Sequence, residues 1–149
     1  MPELGLGRPL RVLLVEDDPG DALMTEEALE GHEIPNELRV VTNGEDALAY
    51  LRAEGSFADA VTPDLVLLDL NLPRRDGREV LRAVKDDRGL RSIPIVILTT
   101  SEADEDVQRC YDLHANAYVR KPVDFEQFLK AVRAVPHFFA GVGRLPRRP

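Results

Sequence analysis

The sequence predicts a single α/β domain, a doubly wound, five-stranded parallel sheet with helices on both faces. The chain has 149 residues, and its 44% hydrophobic content is enough for one domain with a substantial core. Short apolar runs closed by turn residues are typical of buried strands, and helical patterns separate these runs. The predicted strands are Leu10–Val15, Leu38–Val41, Leu65–Leu68, Ile93–Leu98 and Ala117–Val119.

Five helices are expected to alternate with these strands. Pro19 suits the first position of a helix, and Asp18 suits its cap. The apolar face of this helix is predicted to consist of Ala22, Leu23, Ala28 and Leu29. The other helices are predicted from Asn43, from about Gly77, over 102–113 and over 125–135, with Pro136 ending the last.

Charge and composition exclude several classes of function. The chain has 27 acidic and 19 basic residues and a formal charge of −8, so its surface should repel the phosphates of nucleic acids. No apolar run approaches the roughly 20 residues that a membrane helix needs. Cys110 is the only cysteine, which fits a reducing compartment, and residues 1–9 do not resemble a secretory signal. We therefore expect a cytoplasmic protein with no nucleic-acid or membrane partner.

Only the two ends of the chain are irregular in sequence. We predict a flexible N-terminus over residues 1–9, one domain over 10–135 and a C-terminal extension over 136–149. No internal repeat or interdomain linker interrupts the central part.

Polar side chains stand where the predicted strands end. The first strand is followed by Glu16 and Asp17, and the third by Asp69. The fourth is followed by Thr99, and the fifth by Arg120 and Lys121. Ligands of open parallel sheets bind outside the carboxyl ends of the strands, where the strand order switches. If the first and third strands are neighbours, carboxylates from distant parts of the sequence meet in one cleft.

Such a cluster indicates a particular chemistry. Carboxylates close together repel one another unless a cation neutralises them, and an all-oxygen set favours a hard ion such as Mg²⁺. A carboxylate beside Mg²⁺ can act as a nucleophile toward a phosphoryl group, whose oxygens Lys121 and Thr99 are placed to stabilise. Taken singly, these residues are more simply explained as helix caps, strand ends or solvated surface groups. Their convergence on one edge favours a phosphoryl-accepting site.

Four motifs resemble the signatures of receiver domains of two-component signalling. They are Val15-Glu16-Asp17-Asp18, Leu67 to Pro73 with Asp76-Gly77, Leu98-Thr99-Thr100-Ser101, and Tyr118 to Pro122. Their spacing also fits, because Thr99 follows Asp69 by 30 residues and Lys121 follows it by 52. The resemblance covers residues 10 to 135 and implies the flavodoxin-like strand order 2-1-3-4-5.

The resemblance implies a metal site and a phosphoacceptor. Asp69 would accept the phosphoryl group, and both Asp69 and Asp17 would bind Mg²⁺ directly. Glu16 would act on the metal through water, and Asn71 would offer its backbone carbonyl. Asp18, one position later, is a weaker candidate for a ligand.

The resemblance also implies a switch. Lys121 would pair with the phosphoryl oxygens, and Thr99 would donate a hydrogen bond to them. Tyr118 matches the aromatic position whose ring changes rotamer when Thr99 moves. The peptide bond before Pro122 is usually cis in this family.

A finer resemblance is to single-domain regulators paired with phytochrome-type histidine kinases. It rests on the Glu-Asp-Asp opening, the Leu-Thr-Thr-Ser strand end, the long loop before Pro63 and the Phe-Phe…Leu-Pro tail. It implies a histidine kinase as partner, a further downstream protein and no DNA-binding output domain. The tail of such regulators helps to form a homodimer. Phe138 and Phe139 point about 100° apart on a helix, so one would remain exposed on a monomer unless the segment folds over the fifth helix.

Three other functions fit these residues less well. An aspartate-nucleophile phosphatase needs a second aspartate two residues after Asp69, where Asn71 stands. A flavin-binding module needs a phosphate-cradling loop after the first strand, where three consecutive acids begin at Glu16. A degenerate receiver acting as a scaffold would not need the phosphoacceptor, threonine and lysine that are all present. We therefore predict a signalling protein with only self-catalysed phosphotransfer and dephosphorylation, rather than an enzyme.

Overall fold

Strands and helices alternate from residue 10 to residue 99, as the sequence predicts. The structure is a computed structural model that describes residues 8–30, 35–70, 72, 76–99, 117–121 and 126. Its elements are β1 (Leu10–Val15), α1 (Pro19–Leu29), β2 (Asn36–Val41), α2 (Gly44–Arg52), a 3₁₀ turn (Gly55–Phe57), β3 (Leu65–Asp69), α3 (Gly77–Asp86), β4 (Ile95–Thr99) and β5 (Ala117–Arg120). Apart from residue 126, the helices predicted over 102–113 and 125–135 lie outside the described residues, as does the extension over 136–149. None of the described helices is long and apolar enough to cross a bilayer.

The five strands form one parallel sheet in the order β2-β1-β3-β4-β5, which confirms the predicted fold class. In the register between β1 and β3, Val15 lies opposite Leu68. The chain builds outward from β1 to β2 on one side and from β3 to β5 on the other. The strand order therefore switches between β1 and β3, which is where such sheets bind their ligands.

The middle of the sheet is buried on both faces. All five residues of β3 are buried, and so are all but one of the residues of β1. Against one face pack α2, through Leu48 and Leu51, and α3, through Val80 and Leu81. Strands buried on both sides explain the near-continuous apolar runs in the sequence, and this packing holds the strand ends in place.

Two strands begin at other residues than predicted. β4 begins at Ile95 rather than Ile93, because Pro94 has no amide hydrogen to donate to a neighbouring strand. The Pro94 carbonyl still accepts a hydrogen bond from Val66 N at 3.0 Å. β2 begins two residues earlier, at Asn36, which pairs with Leu10. Since β2 lies at the edge of the sheet, its first residues are polar and partly exposed, and they gave no apolar signal.

The apolar face predicted for α1 is partly wrong. Leu29 is buried, and Ala22 and Ala28 are half-buried, but Leu23 is 54% exposed. Thr25 takes a buried place instead, with 2% exposure. Positions 22, 25 and 29 share one helix face, whereas Leu23 lies about 100° further round. Because the buried face carries a threonine and the exposed face a leucine, the pattern of apolar residues did not predict which face of the helix packs against the sheet.

The start of α3 lies against the end of β3. The Asp76 carboxylate caps the helix by accepting from Arg78 N at 2.8 Å, and Gly77 N donates to Leu70 O at 3.0 Å. A Cβ atom on Gly77 would lie 2.7 Å from the Cα of Leu70 and closer still to the carbonyl oxygen of Asp69. These are backbone atoms that cannot turn aside, so the strand end that carries Asp69 requires glycine at this position.

Candidate functional site

Three strands bring charged side chains to one edge of the sheet. Glu16 directly follows β1, Asp69 is the last residue of β3, and Lys121 directly follows β5. Because β1 and β3 are adjacent and parallel, Glu16 and Asp69 lie side by side at the point where the strand order switches. The structure therefore brings together the residues that the sequence placed at these strand ends.

Glu16, Asp17 and Asp69 form an acidic cluster. Each offers one carboxylate oxygen, and these oxygens lie within 4.8 Å of one another. Glu16 is 1% exposed and Asp69 is 4% exposed, whereas Asp17 is exposed. Buried carboxylates this close repel one another, and oxygen donors are the ligands that hard divalent cations prefer. These residues thus fit a divalent metal ion.

Lys121 lies among the carboxylates. Its Nζ is 2.5 Å from Glu16 Oε1, 3.0 Å from Asp69 Oδ2 and 3.1 Å from Asp21 Oδ2, and its side chain is 10% exposed. It donates hydrogen bonds to Asp69 and Asp21, whereas the contact with Glu16 Oε1 is an ion pair without hydrogen-bond alignment. One ammonium group therefore offsets part of the repulsion among three acids.

Burial and charge perturb two of these groups. Burial raises the pKa of Glu16 to about 7, Asp69 acts in the same direction, and Lys121 opposes the shift. Burial alone would lower the pKa of Lys121, but its contacts with Glu16, Asp69 and Asp21 outweigh burial and raise it. Lys121 therefore stays charged at neutral pH, while Glu16 is partly protonated. A cation binding beside Glu16 competes with that proton.

Asp18 serves as the cap of α1. Its Oδ1 accepts hydrogen bonds from Gly20 N at 2.8 Å and from Asp21 N at 3.2 Å. Its own amide donates to Glu16 Oε2 at 3.3 Å. With its carboxylate engaged at the helix N-terminus, Asp18 is a poorer candidate for a metal ligand than Asp17.

Three predicted site residues are described in part or not at all. Thr99 is the last residue of β4, opposite Arg120, and Tyr118 lies in β5 opposite Ile97. The side chains of Thr99 and Tyr118, and the whole of Asn71, lie outside the described part of the chain.

Asp21 was missed by the sequence analysis. It lies in the first turn of α1 and contacts Lys121, which follows it by 100 residues. The available signal was an acid four residues after Asp17, but acids in the first turn of a helix are common because they interact favourably with the helix dipole. Only the tertiary structure distinguishes the two explanations.

Comparison with known proteins identifies the family. The model of the response regulator receiver domain matches residues 12–133. Rcp1 of Synechocystis sp. is 39% identical over 138 residues, which are 93% of this chain and 94% of Rcp1. The structure of Mn²⁺-bound Rcp1 superimposes with a TM-score of 0.74 at 40% identity and covers 88% of this chain and 94% of that one.

Two regulators of phytochrome systems are also similar in structure. The bacteriophytochrome response regulator AtBRR has a TM-score of 0.80 at 45% identity, over 87% of this chain and 94% of that one. The phosphorylated cyanobacterial phytochrome response regulator RcpA has a TM-score of 0.75 at 43% identity, over 89% and 95% of the two chains. The resemblance drawn from the motifs is confirmed, and so is the predicted divalent metal, since receiver domains bind one and the acidic cluster could hold it. The chain belongs to the family of response regulator receiver domains, which are signalling proteins.

Proposed function

We propose that this chain accepts a phosphoryl group on Asp69 from a histidine kinase and passes the signal on through its own surface. The observation that carries this proposal is the environment of Asp69. Asp69 ends the central strand and is 4% exposed as a whole residue, and its carboxylate lies 3.0 Å from the Lys121 ammonium, beside Glu16 and Asp17. RcpA, which was solved in its phosphorylated form, supports the same chemistry.

Mg²⁺ is the cofactor of this proposal. Asp17 and Asp69 would bind it directly, Asn71 through its backbone carbonyl and Glu16 through a water molecule. When bound, Mg²⁺ would neutralise negative charge on the phosphoryl oxygens during the transfer and so stabilise the transition state. The buried oxygens of Glu16 and Asp69 and the exposed carboxylate of Asp17 suit an ion that keeps several of its waters. The Mn²⁺-bound form of Rcp1 is further support.

The transfer is a displacement at phosphorus. An oxygen of Asp69 forms a bond to phosphorus, while the bond between phosphorus and the kinase's histidine nitrogen breaks. The imidazole keeps the electron pair of that bond and takes up a proton. Lys121 stays charged because its pKa is raised, and its Nζ already lies within hydrogen-bonding distance of Asp69. The Thr99 hydroxyl would donate to another phosphoryl oxygen.

The phosphorylated state would end by hydrolysis at the same site. Water attacks phosphorus, the bond to Asp69 breaks, and inorganic phosphate leaves while the carboxylate is restored. Phosphotransfer and hydrolysis both change the protein itself, so the chain is a switch and not an enzyme with an external product.

The switch would run from Thr99 to Tyr118. Thr99 ends β4, which pairs with the strand that carries Asp69, and Tyr118 lies on β5, which pairs with β4. Asp69 and Thr99 are therefore on neighbouring strands, and so are Thr99 and Tyr118. Movement of Thr99 toward the phosphoryl group would open space that the Tyr118 ring could fill. Such repacking has two states rather than a continuum, and it would alter the surface formed by residues 102–113, β5 and the fifth helix.

Partners and location follow from the same proposal. The kinase would be of the phytochrome type, since AtBRR and RcpA are phytochrome response regulators, and a downstream protein would recognise the altered surface. The receiver would span residues 10–135, after a flexible N-terminus at 1–9. The extension at 136–149 would mediate a homodimer. The protein would act in the cytoplasm, without a membrane partner. Its net charge of −8 would repel nucleic acids.

Labelling with a small phosphoryl donor tests the proposal. Incubation with acetyl phosphate and Mg²⁺ should add one phosphate to the protein, measured by intact mass, and Asp69→Asn should abolish the addition. Asp59→Asn makes the same chemical change at an exposed position and should be labelled normally. Full labelling of Asp69→Asn, or equal loss in both variants, would rule out Asp69 as the acceptor.

A further inference from the structure

Asp21 is an acid of the site that the proposed transfer does not use. Lys121 Nζ donates a hydrogen bond to Asp21 Oδ2 at 3.1 Å and another to Asp69 Oδ2 at 3.0 Å. Because both oxygens bind the same nitrogen, they lie no more than about 6 Å apart, a range over which unit charges interact appreciably. Asp21 therefore belongs to the charge network of the phosphoacceptor.

The fold holds Asp21 at the rim of this network. α1 begins at Pro19 under the Asp18 cap, and its first turn carries Asp21 to the edge of the sheet where Lys121 emerges. The Asp21 side chain is 38% exposed, compared with 6% for Asp69. A negative charge in the first turn of a helix is favoured by the helix dipole.

Asp21 lies outside the group of carboxylates that could hold a metal ion. Among the described residues, the carboxylates placed to share a cation are Glu16, Asp17 and Asp69, and Asp21 is not among them. A divalent ion in the site thus acts most strongly on those three carboxylates, and Asp21 lies outside the set that it would bridge. Asp21 lies across the Lys121 nitrogen from Asp69, where phosphorylation adds about one further negative charge.

We propose that Asp21 competes with the phosphoryl group on Asp69 for Lys121 and thereby limits how far the protein becomes phosphorylated. This inference rests on the proposed role of Asp69 as phosphoacceptor. Asp21 is a positioning residue in this scheme, because it acts on the phosphoryl group through Lys121.

The size of the effect follows from the separation of the charges. In a medium as polar as water, a charge on Asp21 about 6 Å from the added charge would lower the equilibrium constant for phosphorylation about threefold. The effect is larger where water is partly excluded. Asp21 is partly exposed, so the lower figure is the appropriate one. Salt should reduce the effect, since the Debye length falls to about 3 Å at 1 M ionic strength.

The test compares Asp21→Asn with the unaltered protein at low ionic strength and saturating Mg²⁺. Asparagine keeps the shape of the side chain and an oxygen that can accept from Lys121, but removes the charge. Acetyl phosphate supplies the phosphoryl group, and intact mass follows its gain and, after the donor is removed, its loss. The ratio of the rate constants for gain and loss should rise at least about threefold in Asp21→Asn, and this rise should shrink in about 1 M salt.

Glu26→Gln is the matched control. It removes one negative charge from an exposed position of the same helix, about 140° further round and roughly 7.5 Å further along the axis. Its ratio should stay unchanged. If the ratio for Asp21→Asn equals that of the unaltered protein or falls below it, or if both variants raise it equally, the inference is overturned. Asp69→Asn is run alongside, since labelling of that variant would instead count against the proposed function.

Discussion

Replacing Glu16 by glutamine should change how the stability of the metal-free protein depends on pH. In the folded protein burial raises the pKa of Glu16 to about 7, whereas in the unfolded chain it should lie near its ordinary value of 4.5. Between these two values the folded state binds more protons than the unfolded state. The free energy of unfolding therefore falls as the pH rises through this window, and it levels off above pH 7.

The size of the change follows from the two pKa values. Going from pH 5.5 to pH 8 should cost the folded protein about 2 kcal/mol through Glu16 alone. Glutamine is neutral at both pH values and shows no such loss. The stability of Glu16→Gln relative to the unaltered protein should thus rise by about 2 kcal/mol between pH 5.5 and pH 8.

Urea unfolding in the presence of EDTA measures this difference. Glu27→Gln makes the same change at an exposed position on α1 and is the control, so it should not reproduce this rise of about 2 kcal/mol. Adding Mg²⁺ at pH 8 should stabilise the unaltered protein, because an ion that binds only the folded state shifts the unfolding equilibrium. A stability difference between Glu16→Gln and the unaltered protein that stays constant from pH 5.5 to pH 8 would show that Glu16 is not held protonated by burial.

Three further predictions concern the metal, the packing and the tail. In Mg²⁺ titrations, Asp17→Ala should lose more affinity than Asp18→Ala, because Asp18 caps α1, and equal losses would refute this assignment. Gly77→Ala should lower the free energy of unfolding by about 1–3 kcal/mol or more in urea, since its Cβ meets the backbone of Leu70, and an unchanged midpoint would contradict that packing. A chain ending at Val135 should sediment as a monomer and the full chain as a dimer, and the same behaviour of both would exclude the tail as the interface.

The sheet was predictable because its signal is local. Runs such as Leu65–Leu68 are apolar throughout, as a strand buried on both faces requires, and the acids that follow them mark the carboxyl edge. The parallel order of the strands then brings Glu16 and Asp69 together without any further information. The prediction that Glu16, Asp69 and Lys121 lie close together therefore followed from the parallel arrangement of their strands.

Other features depend on tertiary contacts that the sequence does not reveal. The direction in which α1 packs could not be read from Leu23 and Thr25, because the exposed leucine and the buried threonine reverse the usual preference. The contact between Asp21 and Lys121 joins residues 100 positions apart, and an acid in the first turn of a helix is explained equally well by the helix dipole. The early start of β2 depends on pairing with β1 rather than on the polar sequence Asn36-Glu37.

Chemical mapping of the phosphorylated residue tests the central claim most directly. After phosphorylation by a histidine kinase in Mg²⁺, borohydride reduces an acyl phosphate to an alcohol and thereby converts the labelled aspartate to homoserine. Tandem mass spectrometry of peptides should find homoserine at position 69, with Asp17 and Asp18 unchanged. Homoserine at another acid, or a phosphate that resists borohydride, would contradict the assignment of Asp69 as the phosphoacceptor.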